Sequence, residues 1–260
     1  MRINTLGVVG AKGSFGAVVC DLTAEHAPWV RVIRHDKNQT PDGQHWFQLC
    51  DAAQCDAVVF AVPIESVETA VQNALKHLRD DTVVVTVSTV KMNDTEVINR
   101  LVPHHRCVIT HPPFGPETLK AYGGSVQGFR VVVTKRTISD EDFVALRVFA
   151  EQLGLIIVDD KSDDEHDRLM SRTQYVTYLF RSFIEHLNLT RTDMDTVTFA
   201  DFMTVLDRVK HDSHLFRAAA RANPHCVDVI DQMIAMLQLL RSDAKKPLSS
   251  PFENLNGYES

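Results

Sequence analysis

The 260-residue sequence has no long apolar run, no excess of basic residues and few cysteines. No apolar stretch approaches the ~20 residues of a membrane-spanning helix. The first strand pattern runs directly into a glycine cluster, which predicts that no signal peptide precedes the folded protein. The net charge of −7 leaves no basic excess for binding a phosphate backbone, so we do not expect a nucleic-acid partner. A membrane partner is not expected either, because there is no long apolar run. A small-molecule ligand or another protein chain is the expected partner.

The five cysteines also exclude several classes of protein. Their number is odd and no Cys-x-x-Cys pair occurs, so neither a disulfide framework nor a metal site is predicted. Cys50 and Cys55 could meet on one helix face, but small buried apolar side chains are the favoured interpretation. We therefore expect a reduced, cytoplasmic protein.

Residues 1–163 alternate short apolar runs with helical patterns. Strands are predicted at Ile3–Val9, Val30–His35, Asp56–Val62, Thr82–Val87, Cys107–Thr110, Phe129–Thr134 and Leu155–Val158. Helices are predicted at Ser14–Ala27, Glu65–Leu78 and Asp140–Leu153. Continuous apolar strands that alternate with helices predict an α/β fold: a Rossmann-type doubly wound, mainly parallel sheet that forms a dinucleotide-binding domain.

Residues 164–244 show helical periodicity only, and they predict a smaller all-helical domain for substrate binding and dimerisation. Its apolar stripes are Val176, Leu179, Phe180, Phe183 and Leu187; Phe199, Phe202, Leu206 and Val209; and Val227, Ile230, Ile234 and Leu237. Asn223 and Pro224 are expected as cap and first residue of the last helix. Three or four helices make a thin core, so we expect a homodimer. Residues 245–260 are expected to form a flexible tail.

A glycine loop follows the first strand, with the sequence Gly-Ala-Lys-Gly-Ser-Phe-Gly at residues 10–16. Between a strand and a helix, such a loop lets a dinucleotide pyrophosphate approach the backbone and the helix N-terminus. Measured against the pattern G-x-G-x-x-G, Ala11 replaces the first glycine, while Gly13 and Gly16 match. We expect the cofactor to contact residues of this loop, namely Gly10, Ala11, Gly13, Ser14, Phe15 and Gly16.

Asp36 ends the second strand, about 20 residues after the loop, where an acidic side chain accepts a ribose 2′-hydroxyl. A carboxylate there would repel a 2′-phosphate, which favours NAD over NADP. The basic residues Arg34 and Lys37 flank Asp36, so NADP stays an alternative cofactor. Val62, Pro63 and Ser88, which lie at or just after the ends of later predicted strands, are expected to complete the cofactor site.

Two histidines stand out among twelve. His111 follows a predicted strand and is surrounded by three prolines and a glycine, which predict a rigid, non-helical loop. Ligands bind at this carboxyl edge of a doubly wound sheet, and a histidine there can act as a general base. His166 opens the helical part, where we expect it to cap a helix or link the domains rather than do chemistry.

Four segments in order resemble the prephenate and arogenate dehydrogenases of tyrosine biosynthesis. They are the glycine loop, Thr-Val-Ser-Thr-Val-Lys at 86–91, His-Pro-x-Phe-Gly-Pro at 111–116, and the run from His-Asp-Arg at 166–168 to Gln174. The resemblance spans residues ~7–180, and the histidine-proline segment is its most specific part.

The resemblance implies oxidative decarboxylation of a cyclohexadienyl carboxylate. A hydride leaves the ring carbon that bears the 4-hydroxyl, carbon dioxide departs, and the ring becomes aromatic. By the same resemblance, His111 would take the hydroxyl proton and Thr89 would orient that histidine and the substrate. Arg217, or Arg221 one turn later, would hold a substrate carboxylate, and Gln174 would face the cleft.

One position departs from the family pattern. Members with prephenate activity commonly carry histidine four residues after Gln174, where this chain has Tyr178. Tyrosine keeps a hydrogen-bonding tip but carries no positive charge at neutral pH. Tyr178 is therefore expected in the substrate site, and the substrate could be prephenate, arogenate or an amino-substituted analogue.

Two other hypotheses remain open. A 3-hydroxyacid dehydrogenase would share the architecture but rely on a lysine in the helical half, and no lysine lies between Lys161 and Lys210. A non-catalytic dinucleotide sensor would fit the substitutions Ala11 and Tyr178.

Overall fold

A seven-stranded sheet forms the centre of the N-terminal part in a computed structural model, which describes residues 3–209 and 213–246. The strand order is β2-β1-β3-β4-β5-β6-β7, and every neighbouring pair is parallel except β5 and β6. The strands are β1 Thr5–Val9, β2 Arg31–His35, β3 Ala57–Phe60, β4 Val83–Thr86, β5 Arg106–His111, β6 Arg130–Arg136 and β7 Ile156–Val158. The predicted Rossmann-type, mainly parallel sheet is confirmed.

Both faces of this sheet are covered, as the continuous apolar strands predict. One core contains Val58, Val84 and Ile109, while a second contains their sequence neighbours Ala57 and Val83. Because successive side chains of a strand point to opposite faces, these two cores lie on opposite sides of the sheet. A sheet buried in this way leaves its carboxyl edge as the place where polar side chains can gather.

The helices of the N-terminal part include three that the sequence interpretation left out. They are α1 Ser14–His26, α2 Leu49–Ala53, α3 Val67–Leu75, α4 Lys91–Leu101, α5 Pro116–Ala121 and α6 Asp140–Gln152, with a 3₁₀ turn at Ile64–Ser66 before α3. The omitted helices are α2, α4 and α5. Helix α4 is difficult to recognise in the sequence because much of its length is polar and two of its buried residues, Lys91 and Asp94, are charged.

The expectation of a wholly non-helical loop after His111 is wrong at its end. Helix α5 begins at Pro116 because proline is well suited to the first turn of a helix, where its missing N–H costs no hydrogen bond. The assignment of Pro224 to the first helical position is also corrected: Pro224 is the N-cap and His225 begins the helix. The side chain of Asn223 still accepts the His225 N–H, at 3.0 Å.

The C-terminal part is helical, with five helices and a 3₁₀ turn at Asp207–Val209 in its described residues. The helices are α7 Asp163–Arg172, α8 Gln174–His186, α9 Val197–Leu206, α10 Ser213–Ala222 and α11 His225–Asp243. Helix α7 packs against α4 and α11, and α10 packs against the 3₁₀ turn before α3. None of the helices described is long and apolar enough to cross a bilayer. Most of the expected tail, from residue 247, lies outside the described residues.

Candidate active site

The glycine loop turns sharply between β1 and α1. Gly10 has φ +88°, and a Cβ there would lie 2.4 Å from the carbonyl oxygen of Ala61. A Cβ on Gly16 would lie 2.1 Å from the carbonyl oxygen of Gly10. Gly10 therefore makes the tight turn, and Gly16 allows the helix to approach it. Ala11, where the pattern has glycine, is buried between β1 and α1 and does not disturb the turn.

The N-terminus of α1 fits a pyrophosphate. Gly13 is its N-cap, no side chain caps the helix, and its first turn, which starts with Ser14, contains no acidic residue. The first N–H groups of a helix lack partners within the helix and carry a partial positive charge. An approaching phosphate would therefore meet backbone donors without repulsion from a carboxylate.

Asp36 lies beside this loop, directly after β2. Its Oδ2 accepts the backbone N–H of Lys12 at 3.1 Å, and its Oδ1 accepts that of Asn38 at 2.9 Å. Each carboxylate oxygen has a second lone pair, so Asp36 can still accept a ribose hydroxyl. The charge of Arg34, which left the cofactor's identity open, offsets part of the rise that burial causes in the pKa of the Cys20 thiol.

Two further predicted cofactor residues follow β3. The Cγ1 of Val62 lies against the position that a Cβ on Gly10 would take, so Val62 borders the loop. Pro63 is exposed and caps the 3₁₀ turn. The ring of Phe15 in the loop contacts the ring of Phe114, with centroids 6.0 Å apart. This contact brings the glycine loop to the histidine-proline segment.

His111 is the last residue of β5 and is 3% exposed. Its Nδ1 lies 2.9 Å from Nε2 of His166, and Nδ1 of His166 lies 2.8 Å from Oδ1 of Asp167. Burial lowers the pKa of His111 well below its usual value of 6.5, and the charges of His166 and Lys91 lower it further. A neutral imidazole has a free lone pair and can accept a proton at neutral pH.

Asp167 joins the helical part to the start of α4. Its Oδ1 accepts the N–H of Lys91 at 2.9 Å and its Oδ2 accepts the N–H of Met92 at 3.0 Å. These are the first two residues of α4, whose N-cap, Val90, offers no side-chain acceptor. A carboxylate from a helix 75 residues away therefore caps α4. Asn223 donates to the Asp167 carbonyl oxygen at 2.7 Å.

A buried ion pair lies within the first turn of α4. Nζ of Lys91 donates to Oδ2 of Asp94 at 2.8 Å and also to the carbonyl oxygen of Thr110, and both charged side chains are wholly buried. Ser88, expected at the cofactor, donates its hydroxyl to Oδ1 of Asp94 at 2.6 Å. The pair ties the end of β5, one residue before His111, to α4.

The sequence interpretation named only part of this network. Within the described residues, no hydrogen bond joins Thr89 to His111, and the orienting partner of His111 is His166. The signal for His166 was present, since a His-Asp pair opens the first helix after the sheet. Lys91 and Asp94 were missed because charged residues are almost never fully buried unless they are paired, and the pairing appears only in the fold.

An open cavity of about 510 Å³ lies between α10, α4 and the 3₁₀ turn. Its lining residues are Ile64, Glu65, Asn93, Arg217, Ala218, Arg221 and Ala222. Both candidate arginines therefore face one cavity. Among the described residues, neither forms an ion pair, and the Nδ2 atom of Asn93 is buried without a hydrogen-bond partner. A cavity with two arginines and a vacant amide donor can bind a carboxylate.

Gln174 and Tyr178 lie on α8, behind this cavity rather than among its lining residues. Nε2 of Gln174 donates to the hydroxyl of Tyr178 at 3.3 Å, and Tyr178 is buried. The rings of Tyr175 and Tyr178 contact Phe216 of α10, the residue before Arg217. Of the two predicted substrate residues, Tyr178 thus supports the helix that carries Arg217, and Gln174 hydrogen-bonds Tyr178.

The fold, the glycine loop and Asp36 define a dinucleotide-binding oxidoreductase of the dehydrogenase class. Residues 30–157 match the family model described as "Prephenate dehydrogenase, nucleotide-binding domain". Residues 30–157 are therefore similar to the nucleotide-binding domain of these enzymes, and the resemblance read from the sequence is confirmed. The match also supports NAD as the expected cofactor, while the residues assigned to its site stay a prediction. No curated protein sequence matches the chain.

Solved structures show the same fold, two of them over nearly the whole chain. Prephenate dehydrogenase from A. aeolicus, solved with hydroxyphenyl propionate and NAD⁺, is similar with a TM-score of 0.68 at 16% identity, covering 95% of this chain and 93% of that one. Arogenate dehydrogenase from Synechocystis has a TM-score of 0.61 at 16% identity, with 93% of each chain covered. A 3-hydroxyisobutyrate dehydrogenase from Mycobacterium tuberculosis has a TM-score of 0.50 at 16% identity, covering 73% and 67%.

Proposed function

We propose that the protein catalyses the NAD-dependent oxidative decarboxylation of prephenate, arogenate or a close amino-substituted analogue. The observation that carries this proposal is His111, a buried histidine with a lowered pKa at the carboxyl edge of the sheet. It lies in the segment that contacts the glycine loop through Phe114 and Phe15. A proton acceptor and a dinucleotide site are thus brought together, as hydride transfer from an alcohol carbon requires.

The reaction needs little more than positioning and a base. NAD, when bound, accepts the hydride from the ring carbon that bears the hydroxyl. His111 takes the hydroxyl proton, so that the carbon–oxygen bond becomes a carbonyl. The bond to the ring carboxylate then breaks, its electron pair completes the aromatic ring, carbon dioxide leaves, and the former carbonyl oxygen takes the proton back from His111. Because aromatisation is favourable, orientation of the substrate and proton removal are the main tasks of the protein.

The cavity between α10 and α4 is proposed to hold the substrate carboxylates. Its volume of about 510 Å³ lies within the range of small-molecule sites. Arg217 and Arg221 stand one helical turn apart, so that one or both guanidinium groups can form a bidentate pair with a carboxylate. Thr89, which is buried at the end of the loop after β4, is retained as a proposed substrate contact.

A parallel rate measurement tests the proposal. The purified full chain is mixed with NAD or NADP and with prephenate, arogenate or the analogue whose 4-hydroxyl is an amino group, and absorbance at 340 nm is followed. Turnover of at least one substrate, faster with NAD, is expected. His111→Asn should lose several orders of magnitude in kcat, whereas His104→Asn, in an exposed turn, should not. No turnover of any of the three would contradict the proposal.

A 3-hydroxyacid dehydrogenase is the second candidate, favoured by the likeness to the M. tuberculosis structure. No lysine lies between Lys161 and Lys210, where such an enzyme would need one. Oxidation of 3-hydroxyisobutyrate in the same assay, without turnover of any cyclohexadienyl acid, would favour this candidate. Binding of NAD without turnover of any substrate would instead favour a sensor.

A homodimer is also proposed, through the apolar side of α11. About half of each of several large side chains there is exposed, namely Ile234, Met236, Leu237, Leu239 and Leu240. An exposed apolar stripe of this length is typical of an interface. Light scattering should give twice the chain mass, and Leu237→Glu should give a monomer. Val144→Glu on α6, equally exposed, is the control. A monomeric wild type would contradict the dimer.

A further inference from the structure

A chain of three buried side chains runs from His111 into the helical part. The ring nitrogens of His111 and His166 lie 2.9 Å apart, and the two rings meet edge to face with centroids 5.0 Å apart. His166 and Asp167 are 2% and 0% exposed, respectively. No other hydrogen-bond partner of either histidine side chain is found in the described residues. The protonation pattern of this chain therefore depends on its own members.

Asp167 fixes the direction of the hydrogen bonds. Its two oxygens already accept the N–H groups of Lys91 and Met92, which can only donate. Nδ1 of His166 is a third neighbour, 2.8 Å from Oδ1, and it donates to the same carboxylate. A neutral imidazole that donates from Nδ1 has its lone pair on Nε2. Nε2 of His166 can then only accept, and the atom that faces it is Nδ1 of His111.

We propose that His166 is a positioning residue that holds His111 as the Nδ1–H tautomer and leaves Nε2 of His111 as the proton acceptor. The inference rests on the proposed function, in which His111 is the base. The other tautomer would place a proton on Nε2 and set the Nδ1 lone pair of His111 against that of His166, and its Nε2 could not accept the substrate proton. Asp167 acts one step further back, by orienting His166.

The same chain stabilises the cation that forms when His111 takes the proton. The imidazolium then donates from Nδ1 to His166, whose own proton is held by the Asp167 carboxylate. The other charged groups that face this site are Lys91 and Asp94, which pair with one another. A single negative carboxylate therefore remains at the end of the chain to offset the new positive charge in a dry environment.

The tautomer can be measured without any turnover. In protein labelled with ¹⁵N histidine, two-bond nitrogen–proton correlations distinguish Nδ1–H from Nε2–H rings, and His111→Asn assigns the His111 signals. Wild-type His111 is expected as Nδ1–H with an unprotonated Nε2. In His166→Ala it is expected as a mixture of both tautomers. A wild-type His111 in the Nε2–H form would overturn the proposal, and this spectrum can be read even when His166→Ala does not fold.

Kinetics then test the consequence. We expect His166→Ala to lose roughly 10- to 100-fold in kcat, a part of the roughly 10²–10⁴-fold that a positioned base contributes, with KM little changed. His166→Gln, whose amide oxygen can accept from Nδ1 of His111, should recover part of both the rate and the single tautomer. His225→Ala is the matched control, because His225 also pairs with an acidic residue of α7, Asp164, at 2.8 Å but lies away from His111.

The two proposals fail in different ways. Absence of turnover in the wild type, with the Nδ1–H tautomer present and lost in His166→Ala, would overturn the proposed function and leave the positioning role of His166 intact. Normal turnover with an unchanged tautomer and rate in His166→Ala would overturn the positioning role alone. A loss of rate in His225→Ala as large as in His166→Ala would also count against it, since any disturbance of α7 would then suffice.

Discussion

Replacement of Asp167 by asparagine is expected to destabilise the fold far more than the same change at Asp164 in the first turn of α7. The carboxylate is wholly buried and accepts three donors: the N–H groups of Lys91 and Met92 and the Nδ1 of His166. An asparagine side chain has the same shape but only one acceptor atom. Its amide group must therefore point at one backbone N–H and leave that buried donor unpaired.

The expected loss in the free energy of unfolding can be estimated from these contacts. A hydrogen bond to a charged group contributes about 1.5–3 kcal/mol, and a buried donor left unpaired costs about 1–3 kcal/mol. The lost charge also removes a favourable interaction with the N-terminus of α4, about 0.3–1 kcal/mol. Asp167→Asn should thus lower the free energy of unfolding by roughly 3–5 kcal/mol. A typical total stability is about 5–15 kcal/mol, so the change is large.

Urea denaturation followed by circular dichroism measures this loss, with the midpoint and slope fitted for each variant. Asp164→Asn is the matched control: it lies on the same helix, is half exposed and pairs with Arg168 and His225. Exposed pairs contribute about 0–1 kcal/mol, so this variant should stay close to wild type. A loss below about 1 kcal/mol for Asp167→Asn would refute the view that its carboxylate caps α4.

Three further predictions concern the same region. Burial holds the pKa of His111 below the 6.5 of the unfolded chain, so the unfolded state takes up the proton first, and stability is lost as pH falls through 6.5 towards the folded pKa, by up to about 1.4 kcal/mol between pH 7.5 and 5.5. Urea denaturation of His111→Asn at both pH values should show a smaller loss of stability than wild type, and an equal loss would contradict the shift. Gly10→Ala should cost about 1–3 kcal/mol or more, because of its φ of +88° and the Ala61 oxygen, whereas Gly43→Ala, at φ +71° in open space, should cost only ~1 kcal/mol in thermal unfolding. Arg217→Lys should raise KM more than it lowers kcat in the 340 nm assay, because lysine lacks the bidentate fork, and an unchanged KM would point to Arg221 instead.

The sheet could be predicted from sequence because its strands are buried on both faces. Runs such as Val83–Thr86 are apolar at nearly every position, and this pattern is typical of parallel strands. Helix α4 escaped prediction for the opposite reason. Its buried side chains include Lys91 and Asp94, which a hydrophobic pattern counts as exposed.

The residues of the candidate site also fall into those that the sequence predicts and those that only the fold brings together. Gly10, Gly16 and Asp36 could be placed because a backbone turn and its spacing to the next strand are local properties of the sequence. His111 could be named because it follows a strand, at the edge where ligands bind. His166 could be singled out too, but its contact with His111 could not be predicted, because His166 and Asp167 come from a helix more than 50 residues away and meet His111 only through packing.

The buried contacts show that the helical part contributes to the candidate site itself, besides closing the cleft. His111 belongs to the sheet, but its ring nitrogen is oriented by His166 from α7, and Asp167 beside it caps α4. Helix α4 in turn carries Asn93 to the cavity that α10 lines with Arg217. The base and the carboxylate site therefore depend on one junction between the two parts of the chain. Any movement of α7 that breaks the Asp167 contacts changes both at once, since α4 loses its cap when His166 loses its acceptor.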